Sequence, residues 1–207
     1  MRVIHIYVEG GGEASNGRSR LREGLTRFLA ELRTDARRAG HELRVVPSGS
    51  RTEAYSNFLR AVEQRPDALT LLLVDAERSV LSLPRAHLSS AAGEDNWNLS
   101  AAEESQVHLM AQVMESWFLA DPETLSSYYG QGFAAGSLPR TRNVEEIPKN
   151  RVEAALDSAT RRTMKGRYHK MNHGPAILEL LNPDLVRSRA PHCDRLFGTI
   201  LDYLSAS

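Results

Sequence analysis

Three carboxylates stand at positions suited to metal-dependent phosphate chemistry. Glu9 directly follows the apolar run 3–8, and Asp75 and Glu77 directly follow the almost continuously apolar run 68–74. Such chemistry needs hard oxygen ligands converging on Mg²⁺ or Mn²⁺ while coordination sites stay open for substrate and water. On an extended backbone the i, i+2 spacing of Asp75 and Glu77 points both side chains the same way. If the two runs are neighbouring strands, the three carboxylates meet over one pocket as metal ligands. Clustered like charges repel, so at least one of them should have a raised pKa without metal. Acids after strands also occur for purely structural reasons, although two such groups on separate strands are less common. Glu115 lies among Met114, Trp117 and Phe118, where a carboxylate needs a partner, and it is a candidate fourth metal or catalytic group. Glu13 either joins the site or balances the run Arg18, Arg20 and Arg22.

Cations gather elsewhere in the chain. Lys165, Arg167, His169, Lys170 and His173 fall in residues 165–173 with Tyr168 among them. That mixture suits a phosphate backbone or a nucleotide, with Lys165, His169 and Lys170 as phosphate-binding candidates, or it forms a solvated basic loop. Arg18 could likewise touch phosphate beside the Gly10–Gly12 turn, whose amides could form an anion nest. His169 and His173 have the i, i+4 spacing of a helical zinc pair. Gly166, Gly174 and Pro175 argue against a helix there, and no acid follows His169, so zinc is not expected. The Gly-Gly-Gly-Glu stretch lacks the Lys-Ser/Thr of a P-loop, which argues against ATP hydrolysis. No Gly-x-Ser-x-Gly elbow is present for nucleophilic catalysis.

The elements that must position these groups follow from periodicity. Residues 3–8 read as a buried strand running into a glycine turn. Residues 19–39 carry Leu21, Leu25, Phe28, Leu29 and Leu32 on one helical face, stopped by Gly40. A second strand spans 41–46, a second helix 52–65, and the apolar run 68–74 suits a central strand covered on both faces. The β-α-β-α-β order predicts parallel pairing with right-handed crossovers, and ligands then bind beyond the carboxyl ends of the strands. A fourth strand is expected at 107–111 and a helix beginning within 113–120. Asp121-Pro122-Glu123 reads as a capped helix start. Further helices are expected at 152–163, 176–181 and 193–204. The fold class is therefore α/β and Rossmann-like, a mainly parallel sheet flanked by helices. Residues 1–126 would form the core and 127–207 a helical extension packed on it, in a single compact domain.

Bulk properties bound the function without naming it. The 207 residues are 41% hydrophobic and 25% charged, ordinary for a globular chain. Lys plus Arg and Asp plus Glu number 26 each, so net charge points to no partner. A single cysteine, Cys193, precludes an internal disulfide framework and suggests a reducing compartment. No signal-peptide pattern opens the sequence, and apolar runs fall short of the ~20 residues of a membrane helix. A cytoplasmic location is the expectation.

Glu-Gly after the first strand and an acidic-x-acidic pair after the third resemble the TOPRIM domain of topoisomerases, primases and OLD-family nucleases. The longer set Val8-Glu9-Gly10-x-x-Glu13, Leu73-Val74-Asp75, Met114-Glu115-Ser116-Trp117-Phe118-Leu119-Ala120-Asp121 and Lys165-Gly166-x-Tyr168-His169-Lys170 is similar to a family of small bacterial TOPRIM-like proteins. That is a domain-of-unknown-function family related to the RloB and OLD-type nucleases. The resemblance implies a TOPRIM-like fold with Glu9 as general acid or base and Asp75 with Glu77 binding Mg²⁺ or Mn²⁺. Glu77 stands where the family usually has Asp, which bears on the position or preference of the metal. It further implies a nuclease acting on DNA or RNA in phage defence, with an ATPase partner in some cases. A non-catalytic sensor or partner subunit that binds a nucleotide or an ATPase is the second reading, and a small-molecule phosphatase the third. An oligomer is compatible with either of the first two.

Overall fold

The structure, a computed structural model, describes residues 2–12, 15–90 and 95–206. Glu13 lies outside the described residues, so its two readings stand as they are. Four strands, β1 (Arg2–Val8), β2 (His41–Pro47), β3 (Thr70–Asp75) and β4 (Val107–Met110), form one sheet in the order β2-β1-β3-β4. Every pairing is parallel. The sheet is thus the expected α/β, Rossmann-like arrangement.

Strand β3 is buried at every position, as its lack of apolar alternation requires, and its side chains serve two separate cores. Leu71 and Leu73 join Ile4, Ile6, Val8, Leu43 and Val45 on one face, where Phe28, Trp117 and Phe197 pack. Leu72 and Val74 join Phe58, Leu88, Leu99, Val107 and Leu109 on the other. The first face is covered by α1 (Ser15–Phe28), α2 (Ala30–Arg38), α7 (Lys170–Leu180) and α9 (Pro191–Ser205). The second is covered by α3 (Arg51–Gln64) and α4 (Pro84–Leu88). Helices α5 (Pro122–Tyr129), α6 (Lys149–Thr160) and α8 (Pro183–Arg189) complete the chain.

Several elements differ from the sequence expectation. The helix expected over 19–39 is divided at Leu29 into α1 and α2, although Leu29 N–H still donates to Leu25 O at 2.9 Å and Arg33 N–H to Leu29 O at 3.0 Å. The stretch Met114–Ala120 is a 3₁₀ segment rather than the start of an α-helix. Asp121 does cap α5, accepting from Thr124 N–H at 3.0 Å and Thr124 Oγ1 at 2.7 Å. The helix expected from 176 begins at Lys170 and runs through Gly174 and Pro175. Packing overrides propensity there: a Cβ at Gly24 of α1 would lie 2.4 Å from Pro175 O, so the two helices meet backbone to backbone.

Helix α9 shows how a buried acid can be purely structural. Its N-cap is Ala190, which offers no side-chain acceptor. Glu145 supplies one instead, accepting from His192 N–H at 2.9 Å and Cys193 N–H at 3.3 Å. Burial nevertheless raises the Glu145 pKa to about 7, the two N–H groups only partly opposing it. A raised carboxyl pKa stabilises the fold below the unfolded value of 4.5, and that contribution is lost as pH climbs to about 7. Replacing Glu145 with Gln keeps an acceptor and removes the titration. Relative to wild type, Glu145→Gln should therefore gain on the order of 3 kcal/mol between pH 4 and pH 8. Urea unfolding of both proteins at the two ends of that range measures it, and a pH-independent difference would refute the assignment.

Candidate functional site

The sheet order creates the site. From β1 the chain crosses to β2 on one side, then returns to place β3 on the other, so the topological switch lies between β1 and β3. Register then sets which residues emerge together. Val8 is opposite Leu73, and Glu9 N–H donates to Leu73 O at 3.2 Å. Glu9 therefore leaves the sheet beside Asp75, whose own N–H reaches Glu9 Oε2 at 3.3 Å. Beyond β1 the turn is glycine-only for a reason: Gly10, Gly11 and Gly12 have φ of 117°, 86° and 63°.

Glu9, Asp75 and Glu77 each offer one carboxylate oxygen, and these oxygens lie within 4.8 Å of one another. The convergence expected from the sequence is present, but the extended backbone invoked to explain it is not. Glu77 sits at φ 62°, a left-handed conformation rare for a residue with a side chain. It is held there as its N–H donates to Gln112 O at 2.8 Å and its carboxylate pairs with Lys149. A turn, not strand alternation, swings Glu77 to its neighbours.

Asp75 is 3% exposed and tightly held. Its Oδ1 accepts from Met114 N–H at 2.8 Å and its Oδ2 from Lys170 Nζ at 3.1 Å. Burial raises its pKa, with Glu115 adding to the rise and Lys170 and the Met114 N–H opposing it. Burial also raises that of Glu9, Asp75 adding to it and Arg51 opposing it. The raised pKa anticipated for clustered acids thus falls on both. Glu115 is buried with the partner it was expected to need: Tyr168 Oη donates to its Oε1 at 2.8 Å, and Lys170 Nζ lies 3.6 Å from its Oε2. Around Lys170, partial burial disfavours the ammonium, but Asp75, Glu115 and Glu9 outweigh that and raise its pKa.

Other candidates lie further out. Arg18 backs the glycine turn, since a Cβ at Gly11 would meet Arg18 Cα at 2.7 Å. Lys165 Nζ sits 5.0 Å over the Tyr128 ring and contacts none of the three carboxylates. His169 is the N-cap of α7, its N–H donating to His173 Nδ1 at 3.2 Å. Although the helix begins at Lys170 and includes His173, no histidine joins a group of three metal-ligand side chains among the described residues.

Residues 8–201 match the family described as Domain of unknown function (DUF4276). The chain belongs to DUF4276. No curated protein and no solved structure matches it. The DUF4276 match takes in Glu9, Asp75, Glu77, Glu115 and Lys170, and its description assigns no activity, so chemistry has to be read from geometry.

Three residues that sequence reasoning missed, Arg51, Asp95 and Lys149, complete the candidate site. Arg51 donates to Glu9 Oε2 at 2.9 Å and to the Asp75 carbonyl. It also binds both oxygens of Asp95 at 2.7 Å each and lies 5.0 Å over Trp97. Lys149 is the third, paired with Glu77. One signal for Arg51 was present: Ser50-x-x-Glu53 is a capping box, which starts α3 at the same sheet edge from which Glu9 emerges.

Because burial and neighbouring acids favour neutral Asp75, Asp75→Asn should stabilise the metal-free protein by about 1 kcal/mol. Its unfolding midpoint should rise by roughly 2–4 °C. Thermal melts without divalent ions check this, and a lowered midpoint would mean that pairing with Lys170 outweighs burial.

Proposed function

We propose that this chain is a metal-dependent phosphoryl-transfer enzyme acting on nucleic acid, a nuclease of TOPRIM-like type. The observation that carries the reading is the convergence of the Glu9, Asp75 and Glu77 oxygens at the switch point of a parallel sheet. The donor set fits Mg²⁺ or Mn²⁺: it is all carboxylate, and its span suits ions that take oxygens at about 2.0–2.6 Å. Asp75 and Glu77 would hold the ion, with Glu9 beside it. When bound, such an ion polarises a phosphoryl oxygen and lowers the pKa of a ligated water.

The protein's own groups supply the rest. Glu9 has its Oε2 tied to Arg51 and the Asp75 N–H, while Oε1 accepts no hydrogen bond among the described residues. Oε1 is therefore the atom at which Glu9 ligates or exchanges a proton with attacking water. Lys170 keeps its charge and can meet a phosphate oxygen without leaving Asp75, a point charge suited to that task. Tyr168 fixes Glu115 beside Lys170, which makes Glu115 a positioning group for the ammonium. Resemblance of the Glu9-Gly10 and Asp75-x-Glu77 motifs to TOPRIM proteins supports a phosphodiester substrate, and by extension a role in phage defence beside an ATPase.

One observation favours the second reading, a non-catalytic sensor or partner subunit. Each carboxylate of the triad already has a cation from the chain: Arg51 on Glu9, Lys170 on Asp75 and Lys149 on Glu77. A cluster neutralised from within has less need of metal.

Calorimetry with Mn²⁺ and cleavage assays separate the two. Mn²⁺ should bind the wild type and not Asp75→Ala, and DNA or RNA should be cut only with Mg²⁺ or Mn²⁺. Asp75→Ala should lower cleavage by at least about 10²-fold, as for loss of a principal electrostatic group. Cleavage undiminished in Asp75→Ala would defeat the enzymatic reading. Absence of Mn²⁺ binding would favour the sensor.

A further inference from the structure

Glu9 and Asp75 border a cavity of about 130 Å³ that is otherwise largely apolar. Its lining includes the charged Glu9, Asp75 and Lys170 and the apolar Leu21, Met110, Met114, Met171 and Pro175. Glycine lets the walls approach. A Cβ at Gly17 would lie 2.2 Å from Gly11 O and 2.9 Å from Met171 Cε, so the turn, α1 and the start of α7 pack closely where they bound the cavity.

We propose that this cavity receives one unstacked, single-ring nucleobase, its phosphate lying against Lys170 and the carboxylate-bound metal. The inference rests on the metal-dependent reading and adds to it a substrate class, pyrimidine nucleotides at single-stranded or terminal positions. Size is the first argument: an apolar cavity of about 150 Å³ takes up a benzene ring, so about 130 Å³ admits one six-membered ring and not a fused pair. Wall chemistry is the second: three methionines and a leucine offer polarisable surface to the faces of a flat ring. Charge is the third, because among the described residues the polar side chains on the wall are Glu9, Asp75 and Lys170, joined in one cluster that includes the cation a phosphate needs. A base inside a duplex cannot enter; one already unstacked can.

Methionine-methyl NMR tests the cavity directly. Met110, Met114 and Met171 line it, while Met164 is 97% exposed and outside it, an internal control. With Mg²⁺ present, uridine 5′-monophosphate should impose ring-current shifts on the three cavity methyls and leave Met164 unmoved. Ribose 5-phosphate should not, and should bind at least about tenfold more weakly for want of the stacked ring. Adenosine 5′-monophosphate should resemble ribose 5-phosphate, and Met171→Ala, at a part-exposed position, should narrow the preference for uridine over adenosine. Uridine without metal addresses the cavity alone and should shift the same methyls at higher concentration. Unmoved cavity methyls at saturating uridine and uridine 5′-monophosphate overturn the inference, as does equal binding of uridine 5′-monophosphate and ribose 5-phosphate. Failure of Mg²⁺ or Mn²⁺ to bind, with the uridine shifts intact, overturns only the metal reading.

Discussion

The carboxylates of Glu9 and Asp75 repel each other, and parallel register leaves them no room to part. Val8 opposite Leu73 sends both acids out of the same sheet edge, and burial on both faces of β3 removes the water that would otherwise screen them. Cations brought from distant parts of the chain answer that repulsion. Arg51, Lys149 and Lys170 are each the first residue of a helix, of α3, α6 and α7 respectively. A cation at a helix N-terminus faces the positive end of the macrodipole, typically at a cost of 0.3–1 kcal/mol. Three such placements converging on one acidic cluster exchange local helix stability for a charge-balanced site. Local helix preference yields at these three positions to the charge balance of the cluster.

Arg51 is the most constrained of the three. Its guanidinium spans Glu9, the Asp75 carbonyl and both oxygens of Asp95, a geometry that the planar fork allows and an ammonium could not reproduce. Trp97 lies beneath it and stacks on Tyr55 at 4.5 Å between ring centres, so α3 and the 95–99 segment are tied together through the cation. Glu9 is consequently anchored by one oxygen and left with the other. Lys170 differs, with about half of its side chain in solvent, which leaves its ammonium open to a further partner while it stays paired with Asp75.

Much of this was legible from residues 1–75. An almost continuously apolar run at 68–74 suits a strand covered on both faces, and that places Asp75 at the carboxyl end of a central strand. Glu115 among Met114, Trp117 and Phe118 had to have a buried partner, and Tyr168 is that partner. The partners of Glu9 and Glu77 were not legible, because they lie 42 and 72 residues away, and the capping box that marks the start of α3 does not say what Arg51 faces. Glu77 itself looked like the second tooth of an extended i, i+2 pair. The left-handed turn that places it depends on Gln112 and Lys149, which lie outside its neighbourhood in sequence. Helix α7 was obscured by Gly174-Pro175, whose poor helix propensity gives way only because α1 packs against that point.

That packing ties the fold to the chemistry. Gly17 and Gly24 are two helical turns apart and share a face of α1, and each stands where a Cβ would strike a neighbouring backbone oxygen, Gly11 O for one and Pro175 O for the other. The missing side chains let the glycine turn close on α1 and let α7 lie against it. Lys170 and Met171 occupy the first turn of α7, so the depth of that helix against α1 sets both the reach of Lys170 to Asp75 and the width of the methionine-lined cavity. A side chain at Gly24 would lever α7 outward and separate ammonium from carboxylate while widening the cavity. The charge pair and the pocket are therefore not independent features of the site; one helix-to-helix contact dimensions both.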